Sequence, residues 1–520
     1  MGFLMFDESQ EQRNMDGMEV KSRFAVSLIT NILRGALSFV TVLILARGLG
    51  PALYGDFAFL MGSFMAIKSL LTLGTSTAFY TFISQKARGL AFMGAYGIWQ
   101  LAQFVLTIII IGVVLPDSWV DVLWVGQKKE LVLISFVTVF IQQQAWQTMN
   151  QIGESRRQTK KIQMMNFFLA LLHLLLVLAL WATDLLSLKV LFAVIVAEHV
   201  VAIGVAWKLI GVSQIKGEPF ERKAVFQEYV LYCSPLVLYS LLGFAYDFAD
   251  RWMLQSFGGS VEQGLFEVSY RLVAIGLIAT TSILNIFWKE MAEANEKGDS
   301  ERIKALYTKI SRFLYSLSAV ICAFLIPWGE EIIITFLGES FLDGVPVLAI
   351  MLVFTIYNSL VQINGTLILA LGKTKTQLVI GGISMLLSIP ASYILQAPTD
   401  FLIPGLGLGA VGMAYKMLII VIVRANLAGW WFSRSMGWKF DWTFQIISLG
   451  GAILLGWFSY EVALWLFPDF MGQIVFRGIV NFLIYACLIA LMIWAMPWLI
   501  GMSRQEIKNQ TRHLQRTFKA

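Results

Sequence analysis

Apolar stretches of some twenty residues follow one another along the whole chain, separated by short polar segments. Each is long enough for a helix to cross a hydrocarbon layer of about 30 Å. The pattern predicts spans at 24–46, 56–80, 90–114, 131–150, 165–183, 188–211, 229–250, 264–288, 311–329, 345–371, 376–396, 405–428, 443–466 and 472–500. The fifth and sixth are joined by a tight turn around Asp184. The fourth ends in Gln142-Gln143-Gln144 through Asn150, too polar a stretch to face lipid. The expected fold is therefore an all-α polytopic membrane protein with about 14 transmembrane helices.

Composition agrees. Of 520 residues, 58% are hydrophobic and 14% charged, where a soluble domain carries about 25% charged residues. Phe (38) and Trp (17) are abundant, as expected of rings that meet lipid or sit at headgroup level. Cys233, Cys322 and Cys487 lie inside apolar runs without metal-site spacing, so they read as packing residues, and no metal site is expected. Residues Met1 to Val20 lack the basic start, apolar core and cleavage site of a signal peptide, so the first span is expected to be retained.

The charges test the segmentation independently. With the N-terminus inside, inside segments hold 28 of the 39 basic residues and outside loops hold five, namely Arg47, Lys128, Lys129, Lys189 and Arg251. The outside loop from Glu330 to Gly344 has four acids and no base. This is the positive-inside pattern, with no loop inverted. It explains the net charge of +6 without a nucleic-acid partner, and it places both termini in the cytoplasm.

Six basic residues remain inside spans: Arg34, Lys68, Arg271, Lys416, Arg424 and Arg477. A cation at mid-membrane costs a few kcal/mol and is retained where it meets a cavity or a partner. Arg34 has company at helical spacing in Ser27, Asn31, Ser38 and Thr41, one continuous polar face. That face is either a cavity wall or a seam of interhelical hydrogen bonds. Lys68 with Thr72, Thr75 and Ser76 repeats the pattern less regularly. Arg271 follows Glu267 by four residues, so an intrahelical ion pair competes with a cavity role. Lys416 is expected to face either the cavity or a carboxylate. Arg424 and Arg477 are near enough to the interfaces to snorkel. Convergent cations at Arg34, Lys68, Arg271 and Lys416, flanked by Asn31 and Ser38, would select a phosphate-bearing anion and repel cationic drugs.

Among intramembrane acids, Glu198, Asp247 and Asp250 are candidates for coupling to H+ or Na+. Pairing of Asp250 with Arg251, and of Glu198 with a basic residue, are the plainer alternatives. His173 reads as a packing or hydrogen-bonding residue. No Walker A sequence, nucleophile elbow or metal spacing is present, so neither an enzyme nor a cofactor is expected. A weak internal duplication relates Gly50-Pro51-Ala52-Leu53-Tyr54-Gly55 to Gly258-Gly259-Ser260 through Gly264, six spans later. An even count makes the repeat parallel; two unrelated glycine-rich turns are the alternative.

Four motifs in order resemble a known family. They are Ala46-Arg47-Gly48-Leu49-Gly50-Pro51 with Tyr54-Gly55; Asp250-Arg251 with Phe257-Gly258 and Gly264-Leu265-Phe266; Ala370-Leu371-Gly372-Lys373-Thr374-Lys375; and Ile389-Pro390 with Gly407 to Ala414. The chain resembles, over residues 21 to 430, the Wzx-type O-antigen and exopolysaccharide flippases of the multidrug/oligosaccharidyl-lipid/polysaccharide exporter superfamily. The resemblance implies two pseudo-symmetric six-helix lobes in a V, here 24–211 and 229–428, joined by a cytoplasmic linker at 212–228. A cytoplasmic segment 1–23, two further spans within 443–500 and a basic tail at 501–520 complete the chain. It implies alternating access that carries an undecaprenyl-pyrophosphate-linked oligosaccharide across a bacterial inner membrane, with polysaccharide polymerase or assembly proteins as partners beside membrane lipids. By likeness to lipid II flippases, Arg34 and Arg271 would meet the pyrophosphate. A drug or metabolite antiporter is the alternative within the superfamily, and a membrane glycosyltransferase or ligase the alternative outside it. The stretch Gln396 to Gly405 is longer than the family's usual turn.

Overall fold

The computed structural model describes residues 2–218, 220–274, 278–468 and 474–506. The chain is helical as expected: α1 (Gly2–Thr72), α2 (Thr75–Gln85), α3 (Leu90–Ile109), α4 (Asp117–Leu123), α5 (Lys129–Phe140), α6 (Trp146–Ser155), α7 (Thr159–Ala182), α8 (Leu188–Ile210) and α9 (Arg222–Ala274). There follow α10 (Ile278–Glu296), α11 (Ser300–Leu325), α12 (Gly329–Phe336), α13 (Val345–Ala370), α14 (Thr374–Gln396), α15 (Gly409–Ser435), α16 (Thr443–Leu466) and α17 (Ile474–Ala495). Among the described residues, eleven stretches are long and apolar enough to cross a membrane. Two of these, Val26–Thr72 and Arg222–Ala274, each contain a break in helical geometry, at Gly50 and Gly259. The fourth expected span is α5 and α6 joined by the π-helical turn Ile141–Ala145. The tail bases Lys508, Arg512, Arg516 and Lys519 lie outside the described residues.

The chain packs as two compact units, residues 1–264 and 265–520. This is a division by packing, distinct from the division by repeat expected from sequence: the seventh span packs with the first six. Within the first unit, the polar end of the fourth span is explained by burial against other polar groups rather than lipid. Gln144 donates to Gln103 Oε1 at 2.6 Å, and Gln103 donates to the Leu71 carbonyl at 2.6 Å. Gln100 donates to Thr148 Oγ1 at 2.8 Å, and Asn166 to Asn150 Oδ1 at 2.7 Å. In a membrane interior every such group needs a protein partner. The linker at 212–228 is tied down: the Glu218 amide donates to the Ala87 carbonyl at 2.9 Å, and Arg88 pairs with Glu228 at 2.5 Å.

In the second unit, α11, α13, α15 and α16 surround a core that includes the fully buried Tyr315 and Phe432. The twelfth span begins at Gly409, four residues later than hydropathy suggested. The preceding stretch folds back on α14, with the Leu406 amide donating to the Ile394 carbonyl at 2.8 Å and the Gly407 amide to the Ala397 carbonyl at 2.9 Å. Arg312 is a tie point. Its guanidinium pairs with Asp441 at 2.6 Å, donates to the Trp498 carbonyl at 3.1 Å, and lies 5.5 and 5.6 Å from the ring centroids of Phe444 and Trp498. Arg312→Ala is expected to cost about 1–2 kcal/mol, less than a fully buried pair because Asp441 stays part-exposed. Thermal unfolding in detergent should show a lowered midpoint.

Candidate functional site

The first two spans are separated at one residue. Gly50 has φ 71° and ψ 170°, a conformation that side chains resist, and it separates two helical stretches. Arg34 precedes it by sixteen residues and Lys68 follows it by eighteen, about 24 and 27 Å of helix at about 1.5 Å per residue. The two cations therefore lie at matched depth on consecutive spans. Both are half-buried. Neither has an ion pair or hydrogen bond among the described residues. Asn31 and Ser38 are exposed on α1, and Asn31 donates to Ser27 Oγ at 3.3 Å, along the expected polar face.

The second span is discontinuous. Leu73 (φ 42°) and Gly74 (φ 86°) break it between Thr72 and Thr75. The face of Lys68, Thr72, Thr75 and Ser76 expected from an unbroken helix is accordingly interrupted after Thr72. The break opens the N-terminus of α2, an end that favours anions, seven residues beyond Lys68. Beside it runs an apolar groove of about 680 Å³, lined by Leu73, Trp99, Phe226 and Val230 with Arg222 at its edge.

The other expected cations are placed differently. Arg271 pairs with Glu267 at 2.8 Å; the arginine side chain is 55% exposed and the glutamate 6%. Lys416 is completely buried in the second unit. Arg477 pairs with Glu331 at 2.9 Å and lies over the Trp328 ring at 5.3 Å, a structural contact.

Among the acids, Glu198 is buried in α8; His173 Nδ1 of α7 is in hydrogen-bond contact with its Oε2 at 3.1 Å and lies 2.9 Å from Oε1, and His199 Nδ1 lies 3.4 Å from Oε1. His199 also contacts the Ile195 carbonyl through Nδ1 at 2.8 Å. The cluster is a buried carboxylate flanked by two histidines, with no Lys or Arg ion pair to it among the described residues. Asp247 is exposed and Asp250 buried, both engaged in contacts. Among the described residues no group of three His, Cys, Asp or Glu side chains could hold a metal ion.

A feature not singled out from sequence is Asp56. Its Oδ1 accepts from Ser260 Oγ at 2.5 Å, Gln127 Nε2 at 2.7 Å and Gln255 Nε2 at 3.1 Å. One carboxylate oxygen thus joins the second span, the α4–α5 loop and both sides of the Gly259 break. Gly259 repeats the Gly50 conformation, at φ 81° and ψ −178°. Each is followed five residues later by a glycine, Gly55 and Gly264, so the matched spacing is closer than the sequence comparison through Gly258 suggested. The two later glycines face each other. A Cβ on Gly55 would overlap the Ser260 carbonyl and lie 2.8 Å from the Gly264 amide; a Cβ on Gly264 would overlap the Pro51 carbonyl. The signal was present in the sequence as an acid directly after Tyr54-Gly55, at a position that hydropathy assigns to the membrane surface.

The family profile described as "Polysaccharide biosynthesis protein" matches residues 20–287, more than half of the chain. No curated protein sequence matches. Among solved structures, the lipid II flippase MurJ in an inward closed conformation is similar with a TM-score of 0.66 at 14% identity, over 90% of this chain and 99% of that one. An inward-facing multidrug resistance MATE family transporter of the MOP superfamily is similar with a TM-score of 0.57 at 16% identity, over 79% of this chain and 98% of that one. At these identities the likeness is one of fold.

Proposed function

Because the chain belongs to the polysaccharide biosynthesis protein family, and is a multi-pass membrane protein of flippase and transporter fold, we propose that it flips a polyprenyl-pyrophosphate-linked oligosaccharide across the bacterial inner membrane by alternating access. The observation that carries this reading is the pair Arg34 and Lys68: two cations at matched depth on adjacent spans, with no carboxylate partner among the described residues. Unmatched positive charge within the membrane is costly, and an anionic cargo is what repays it. A pyrophosphate offers several oxygens to both cations and to the open N-terminus of α2. The apolar groove beside α2 suits a cargo with a hydrocarbon chain. Arg271 and Lys416 are the further cargo-binding residues of this proposal, held in reserve by Glu267 and by burial in the state described. A drug antiporter would be served by a neutral or acidic cavity and has no use for Arg34 and Lys68.

The Glu198 cluster is the proposed ion-coupling site, ahead of Asp247 and Asp250, because its carboxylate is buried within a span beside two histidines. Proteoliposomes containing the purified chain and a fluorescent polyprenyl-pyrophosphate saccharide test both parts. Flipping is expected in the wild type and to be accelerated by a pH gradient. In Glu198→Gln the basal rate should remain and the acceleration disappear. A variant still accelerated by the gradient would remove Glu198 from the coupling path, and a wild type that leaves the labelled lipid in place would overturn the function.

A further inference from the structure

A polar recess lies wholly within the second unit. It measures about 230 Å³ and is bounded by α11, α13, α15 and the loop into α16. A water takes about 30 Å³ in the liquid, so the recess has room for a tetrahedral anion and one substituent. It lies near the start of α11 and the end of α15, beside a loop that the charge pattern of the sequence assigns to the cytoplasmic side.

Most of its polar groups are already engaged with one another. Asp441, its one carboxylate, is held by Arg312 at 2.6 Å, by the Thr443 amide at 3.0 Å and by Thr443 Oγ1 at 2.6 Å. Tyr307 donates to Asn364 Oδ1 at 2.9 Å, and Asn364 donates to the Ala425 carbonyl at 2.9 Å. What remains is a set of donors. Lys304 and Lys439 line the recess with no ion pair or hydrogen bond among the described residues. Ser433 lines it too, only 5% exposed; its carbonyl accepts from the Trp438 amide at 2.7 Å, while its hydroxyl has no hydrogen bond among the described residues. With Arg312 and Asp441 cancelling, the recess carries two uncompensated positive charges, a buried hydroxyl and the aromatic wall of Tyr307 and Trp438, whose rings are 6.3 Å apart. Basic pockets between spans on the cytoplasmic side hold anionic headgroups, and aromatic rings mark the headgroup level.

We propose that this recess binds a phosphate-bearing anion, gripped by Lys304 and Lys439 and hydrogen-bonded by Ser433, at a site separate from the cargo path. The chemistry is shared by the headgroup of an anionic phospholipid and by free phosphate. Purified full-length chain in detergent is titrated with short-chain phosphatidylglycerol, with short-chain phosphatidylcholine and with inorganic phosphate, and thermal unfolding is followed. The midpoint is expected to rise with phosphatidylglycerol and not with phosphatidylcholine; a rise with inorganic phosphate alone would assign the soluble source. The double variant Lys304→Gln/Lys439→Gln should fold as the wild type does, since both lysines are exposed, yet need at least tenfold more ligand for the same shift. Arg34→Ala should shift as the wild type does, which separates this site from the cargo site. No shift with either anion, or equal shifts in the wild type and the double variant, would overturn the proposal.

Discussion

Gly55→Ala is expected to slow transport about tenfold to a hundredfold while the protein still accumulates in the membrane. The added methyl would overlap the Ser260 carbonyl and press on the Gly264 amide, and both obstacles are backbone, so no rotamer change relieves them. Overpacking of this kind costs about 1–3 kcal/mol, and each 1.4 kcal/mol is about a tenfold change in population. The cost falls on the arrangement in which the Gly50 and Gly259 turns meet and Asp56 reaches Ser260 and Gln255. If the transport cycle visits that arrangement, the rate should fall about tenfold to a hundredfold, while folding of the remaining helices is untouched. Gly97→Ala is the control, because a Cβ there meets nothing within 4 Å. Surface glycan measured by complementation of a flippase-deficient strain reads the outcome. Wild-type glycan from Gly55→Ala would mean that the joint never closes during transport.

The same region shows where reading the sequence succeeds and where it stops. Hydropathy and loop charge located the spans because both arise from the lipid solvent, which acts on each segment separately. The turn at Gly50 was visible because a left-handed residue followed by proline leaves few alternatives to glycine. The break at Leu73–Gly74 was not, since leucine has no preference for positive φ and the conformation is imposed by packing, with Gly74 set against Leu236. Gln142 to Asn150 read as too polar to face lipid, but a periodicity does not reveal that Gln103 and Asn166 wait on neighbouring helices. Asp56 failed to stand out for the converse reason: near a helix end an acid looks solvated. Arg34 and Lys68 emerged only after the charges explained by topology were set aside. Their lack of a carboxylate partner among the described residues needed coordinates, whereas the pair of Arg271 with Glu267 was one of two readings its spacing offered, and coordinates chose it.

That difference in partners leads to opposite outcomes for two substitutions of the same kind. Arg34→Ala, combined with Lys68→Ala, should lower flipping at least a hundredfold and yet leave the protein as stable as the wild type or more so. Insertion scales put the cost of a central arginine or lysine at up to about 3.5 kcal/mol, and removing a charge that has no partner removes that cost. Gain of stability with loss of transport is the signature of a residue retained for its cargo. Arg34→Lys should recover part of the rate, because a lysine keeps the charge but not the forked donor geometry. Arg271→Ala should behave otherwise. It takes a partner at 2.8 Å from a buried glutamate, and a carboxylate deprived of its cation inside a membrane protein is destabilising. Folded yield and unfolding midpoint should therefore fall along with the rate, and the second change Glu267→Gln should restore the yield without restoring transport. Measuring the midpoint and the flipping rate on the same preparations separates the two cases. If Arg34→Ala/Lys68→Ala lost stability as Arg271→Ala does, those cations would be structural, and the anionic cargo would have to be bound elsewhere.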